Sequence, residues 1–134
     1  MNAVLKIFRN KISVLFILTF LISEQSMAQE KKQMVRLAKI KIDSAQVEKY
    51  NNALKEQMNA AIKNETGVLT YYAVADIKDP TIITILEIYA DTTAYKLHIE
   101  TAHFKKYKEA VKTMVKSLEL VDVDIIASVK KSNM

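Results

Sequence analysis

The 134-residue chain contains no cysteine and no tryptophan, one glycine, one proline and two histidines. Without cysteine there is no disulfide, no lipid-anchored N-terminal cysteine and no thiolate metal site, so burial and subunit contacts must hold the fold together. Gly67 and Pro80, each alone of its kind, mark boundaries between elements and not a flexible linker. Single-sign charge blocks are missing too. The net charge is +5, and lysines alternate with acids along the predicted helices, which argues against nucleic acid as a partner.

Only one long apolar run exists, Ile12 to Ile22, behind Lys6, Arg9 and Lys11 and ahead of a polar stretch closing on Ser26-Met27-Ala28. It is well short of the roughly twenty residues that cross a bilayer, and the order basic, apolar, small is that of a secretory signal peptide. The expectation is a signal peptide over 1–28, cleaved after Ala28, and an exported product, periplasmic or secreted, with no stable membrane association once cleaved; a retained anchor is the rival. A polar lead-in over 29–33, one domain over 34–130 and a tail over 131–134 remain. Roughly a hundred residues suffice for a single domain with a modest core.

From Met34 to Ile42 apolar and basic residues alternate, with Ala38, Ile40 and Ile42 on one side and Lys39 and Lys41 on the other, as in a half-buried strand. Asp43 or Ser44 caps a helix striped by Val47, Tyr50, Leu54, Met58, Ala61 and Ile62, ending near Asn64 or Glu65. Gly67 is expected to hold a backbone conformation that a side chain would penalise, ahead of a strand from Val68 to Ala75. Asp79-Pro80 turns into a strand from Thr81 to Tyr89, and the two strands form a hairpin. Asp91 opens a helix carrying Leu97 and His98. Thr101 starts a further helical segment striped by Phe104, Tyr107, Val111, Met114 or Val115, and Leu118, and Leu120 to Val129 alternates as a last strand. The order β-α-β-β-α-β predicts an α+β, ferredoxin-like split arrangement, a four-stranded antiparallel sheet with its helices on one face. Strands apolar on both sides, such as Ile82 to Ile88, predict that the other face packs against a second copy, giving a dimeric α+β barrel.

Titratable chemistry concentrates between Glu87 and Phe104. Glu87 lies among Ile85, Leu86 and Ile88, where an unpartnered carboxylate is costly, so a partner is expected. His98 is the candidate: such a pair fixes the imidazole tautomer and leaves its other nitrogen facing a pocket. In the rival reading Glu87 bonds a backbone group or a tyrosine hydroxyl and does no chemistry. His98 and His103 would diverge by roughly 140° on one straight helix, so no metal site is expected, although a break at Thr101 would let the rings approach. His103 is read as a substrate contact, or else as a bond to its own turn. Adjacent Tyr71 and Tyr72 point to opposite faces, and one of them faces the pocket. Tyr72, Tyr89 and Phe104 are taken as its aromatic walls, with core packing as the rival role; Met58 and Met114 are core filler.

Three pieces of the chain match a known pattern: Glu65-Thr66-Gly67-Val68-Leu69-Thr70-Tyr71; Asp79-Pro80 followed by Leu86-Glu87-Ile88-Tyr89-Ala90-Asp91; and Ala94-Tyr95 with His98 and Thr101-Ala102-His103-Phe104. Together they resemble the antibiotic biosynthesis monooxygenase domain, in its small quinol-monooxygenase-like branch. The resemblance implies a homodimer with a pocket between sheet and helices in each subunit, oxidising a quinol or phenol with dioxygen and without metal or flavin. It departs from the haem-degrading branch: His98 takes the place of that branch's pocket tryptophan, and Lys106-Tyr107-Lys108 falls where its haem ligand would be. The expected function is a cofactor-independent monooxygenase acting on a small aromatic or quinol substrate, with His98 as general base and Glu87 orienting it. The alternatives are a non-catalytic periplasmic small-molecule-binding dimer and an isomerase of a small phosphorylated ketone. Scattered lysines such as Lys39 and Lys41 offer the latter no phosphate cradle.

Overall fold

Alternation shapes the first strand. In the computed structural model, which describes residues 32–131, β1 (Met34–Ile42) buries Ala38, Ile40 and Ile42 and leaves Lys39 exposed. The expected signal peptide over 1–28 lies outside the described residues. Asp43 accepts the Ala45 amide at 2.9 Å and opens a short 3-10 turn, Ser44–Gln46, leading into α1 (Val47–Asn64). That helix buries Tyr50, Leu54, Gln57 and Ala61, one stripe at helical spacing. The hairpin β2 (Val68–Ala75) and β3 (Ile82–Tyr89) follows, then α2 (Thr92–His98), α3 (Ala102–Val111) and β4 (Val115–Val123). All neighbouring strands are antiparallel in the order β2-β3-β1-β4, which is the ferredoxin-like arrangement. No helix among the described residues is long and apolar enough to cross a membrane.

Register decides what faces the helices, since directly opposed residues share a face. Glu87 stands between Arg36 on β1 and Tyr71 on β2, and Ala38 stands between Ile85 and Leu120. The main core joins Ala38, Ile40, Ile42, Ile83 and Ile85 of the sheet to Tyr50, Leu54, Val111 and Met114. Enclosing each of Ile42, Ile83 and Met114 stabilises the fold by about 1.5–3 kcal/mol. A smaller cluster of Ala61, Val68 and Tyr89 fastens the end of α1 to the sheet.

Two expectations are corrected. The helix after Thr101 ends at Val111 and the last strand begins at Val115, so Val115 and Leu118 belong to β4 and not to a helical stripe, while Ile125 to Val129 lie beyond the strand. Opposed to Ile42 and Ile40 of β1, Val115 and Leu118 gain ladder hydrogen bonds that a longer helix would forgo. Gly67, secondly, has no positive φ. Its reason is space: a Cβ there would stand 2.5 Å from the Cβ of Ala94, so α2 seats directly on the glycine backbone.

Candidate functional site

Between the sheet and the helices lies a cavity that opens to solvent on one side. Its floor is Arg36, Ala38, Ile85 and Glu87, its aromatic walls are Tyr50, Tyr71, Tyr89, Tyr95, Phe104 and Tyr107, and Lys108, Leu118 and Leu120 also line it. Leu118 and Leu120 share the helix-facing side of the sheet with Ile40 and Ala38 yet remain about half exposed, which leaves the cavity open near the β4 edge. A largely apolar, aromatic lining with a few polar groups is the character of a small-molecule pocket.

Tyr89 donates its hydroxyl hydrogen to Glu87 Oε2 at 3.0 Å. The Tyr89 and Tyr71 hydroxyl oxygens are 2.9 Å apart, and Tyr71 Oη is 2.9 Å from His98 Nε2. Gln57 Nε2 lies 3.2 Å from that same ring nitrogen. His98 Nδ1, on the far side of the ring, is 2.9 Å from Glu65 Oε1, which in turn lies 2.6 Å from His103 Nε2. Glu87 and His98 are therefore joined through two tyrosine hydroxyls and do not touch.

The expected direct Glu87–His98 pair is thus corrected. Glu87 sits mid-strand on β3, whereas α2 folds back toward the α1–β2 turn and brings His98 to Glu65. Thr101 makes the local geometry: its hydroxyl donates to the His98 carbonyl at 2.7 Å and accepts the Phe104 amide at 3.3 Å, ending one helix and capping the next. Because of that break, His98 and His103 both reach one carboxylate. One ligand atom from each of Glu65, His98 and His103 lies within 4.8 Å of the others, the only such group among the described residues.

Of the proposed aromatic walls, Tyr89 and Phe104 line the cavity; Tyr72 does not, because register sends Tyr71 inward beside Glu87 and Tyr72 to the open face of the sheet. His103 lines a shallow groove beside Gln57 and Tyr107 and also bonds Thr101 Oγ1 at 3.2 Å. Glu65 and Tyr71 are the residues that sequence reasoning passed over. An acid at the end of a helix ordinarily faces water, and the only hint was its place in the motif Glu65 to Tyr71.

Burial raises the Glu87 pKa above the usual carboxylate range, against the Tyr89 hydrogen bond and the charges of Arg36 and Lys108. Burial also lowers the His98 pKa despite Glu65, with His103 adding to the depression. Tyr71 and Tyr89 are held neutral by burial and by the nearby Glu87 charge. Arg36 is itself anchored, its Nε 2.7 Å from Asp122 and its guanidinium 4.4 Å from the centre of the Tyr95 ring.

A family model, antibiotic biosynthesis monooxygenase, matches residues 34–110. No curated protein matches the chain. Among solved structures, a Bacteroides thetaiotaomicron protein provisionally named an antibiotic biosynthesis monooxygenase is 50% identical over 75% of this chain and 95% of its own, with a TM-score of 0.71. A provisionally named monooxygenase from Lactobacillus acidophilus is 26% identical over 71% of this chain and 52% of its own, with a TM-score of 0.65. A Caulobacter crescentus protein, at 22% identity over 73% of this chain and 93% of its own and a TM-score of 0.67, shares the fold. The chain belongs to the antibiotic biosynthesis monooxygenase family.

Proposed function

We propose that the protein is a monooxygenase that oxidises a small quinol or phenol with dioxygen, using the substrate's own electrons. The observation that carries this reading is Glu87, a carboxylate in the floor of an aromatic cavity whose raised pKa brings it nearer that of a phenol. Glu87 takes the hydroxyl proton, and Arg36 and Lys108, lining the same cavity, stabilise the anion. The anion gives up electrons to dioxygen far more readily than the neutral phenol. For a quinol the balanced outcome is hydroxyquinone plus water, one oxygen atom going to each. His98 is fully buried, and both ring nitrogens are engaged. Its role as direct base is therefore recast: it holds the Tyr71 hydroxyl, and through it Tyr89 and Glu87, in position.

The uncovered sheet face supports a homodimer, and the sequence of residues 1–28 supports export and cleavage after Ala28; a mature N-terminus at Gln29 is the outcome expected from intact-mass analysis. Oxygen uptake with a panel of reduced quinols and phenols tests the reaction. Turnover that falls by about 100-fold or more in Glu87→Gln, with the fold retained, is the expected result. No uptake with any member of the panel defeats the proposal, and retention of a small aromatic without uptake would leave a binding protein.

A further inference from the structure

We propose that Glu65, His98 and His103 form a binding site for one first-row divalent metal ion, with two imidazole nitrogens and one carboxylate as its ligands. Three places in the fold deliver them: the residue after α1, the last residue of α2 and the first turn of α3. His98 Nδ1 and His103 Nε2 approach the same carboxylate oxygen, at 2.9 and 2.6 Å. The three ligand atoms lie within 4.8 Å of one another, while atoms bound to one ion at about 2.0–2.2 Å stand roughly 3 Å apart, so a small inward turn of the two rings would close them round an ion. On an uninterrupted helix the two rings would diverge; the cap at Thr101 is what turns both toward Glu65.

Nitrogen and carboxylate donors without thiolate select Zn(II), Co(II) or Fe(II) over Mg(II) and Ca(II), which favour all-oxygen sets. Three protein ligands leave coordination positions for water or another small ligand. The surroundings suit a cation. A ligating imidazole is ordinarily fixed by a partner on its other nitrogen, and Tyr71 Oη fills that place at 2.9 Å. With Nδ1 on the metal, His98 Nε2–H donates to Tyr71, Tyr71 to Tyr89, and Tyr89 to the Glu87 carboxylate, and the Gln57 side-chain amide, 3.2 Å from Nε2, turns its carbonyl oxygen toward that ring hydrogen. The lysines next on α3 do not compete for Glu65: Lys105 and Lys106 pair with Glu100 and Glu56 at 2.6 and 2.5 Å. Side-chain exposure is 22% for His103 and 1% for His98, so the ion enters from the His103 side, behind the wall that Tyr71 and Tyr89 present to the cavity. The site goes beyond the oxidation proposed above and does not depend on it.

The test uses the full chain without a histidine tag, stripped by chelator and titrated with Co(II), read by visible absorption and equilibrium dialysis. One equivalent per chain is expected, with ligand-field bands of a nitrogen and oxygen set and displacement by Zn(II). Glu65→Gln and His103→Ala should each weaken binding by about 100-fold, and Glu100→Gln should leave it unchanged. His103 is partly exposed, so His103→Ala keeps the test decisive if Glu65→Gln fails to fold, circular dichroism reporting the fold. No binding by wild type, or binding unaffected in a folded variant, overturns the site. Oxygen uptake is not read, so failure here and failure of the monooxygenase proposal are separate results.

Discussion

Gly67 and Ala94 approach so closely that a Cβ added to the glycine would lie 2.5 Å from that of the alanine. The contact sets the height of α2 above the sheet, and α2 carries His98. Gly67→Ala should therefore destabilise the protein by about 1–3 kcal/mol, an overpacking cost that outweighs the roughly 0.4–1 kcal/mol gained by stiffening the unfolded chain. Ala94→Gly, made alone, should cost up to about 1 kcal/mol. In the double variant the overpacking cost should vanish, giving a favourable coupling in urea unfolding. Equal costs for Gly67→Ala in both backgrounds would show that the glycine serves something else.

Tyr71 and Tyr72 offer a test of register in two adjacent residues. Tyr71 lies in the hydroxyl chain between His98 and Tyr89, whereas Tyr72 is about half exposed on the other face. Tyr71→Phe keeps the ring but strands buried polar atoms, which should cost about 1–3 kcal/mol. Tyr72→Phe should fall within about 0.5 kcal/mol of wild type in the same denaturant series. A reversal of the two effects would mean that β2 is shifted by one residue.

That parity could not be read from the chain, because two neighbouring tyrosines look alike until pairing with Glu87 selects one of them. The alternation of Ala38, Ile40 and Ile42, the break at Thr101 and the two-sided apolar character of Ile82 to Ile88 were legible, since each is a local pattern tied to one periodicity. Val111, Met114, Val115 and Leu118 satisfied helical spacing as well as the lead into a strand, and only pairing with β1 separates the two. Glu65 escaped notice because its partners come from helices more than thirty positions away. The aromatic cavity was foreseeable in kind, but the indirect link from Glu87 to His98 depends on where two hydroxyls end.

Glu87 predicts a pH dependence of stability with a definite sign. Its pKa in the folded protein is raised from the ordinary 4.5, chiefly by burial. Below that ordinary value both states hold the proton and no penalty arises. As pH climbs from there through the folded pKa, the unfolded chain releases its proton first, so the folded state loses stability. Glu87→Gln cannot titrate, and its stability relative to wild type should rise over this window and then level off. Thermal melts across mildly acidic to neutral pH provide the measurement, and a difference that is flat or falls with pH would place the Glu87 carboxylate in a more polar setting than the cavity floor.

The open face of the sheet supplies the last prediction. Tyr72, Val74 and Ile82 are 52%, 63% and 44% exposed there, and the chain beyond β4 carries exposed Ile126 and Val129. Lys130 Nζ stands 5.8 Å from the centre of the Tyr72 ring, so this tail reaches across to the β2 side. An apolar sheet surface of this kind is a liability unless covered, and a second copy related by a two-fold axis would cover it with the same surface. Each substitution then acts twice in one interface. Tyr72→Glu with Val74→Glu should bring like charges together across the axis and shift sedimentation from dimer to monomer. Leu97→Glu, 67% exposed on α2, provides the matched control and should leave the dimer intact. A wild type that sediments as a monomer at tens of micromolar, or a doubly charged variant that stays dimeric, would require another occupant for this face.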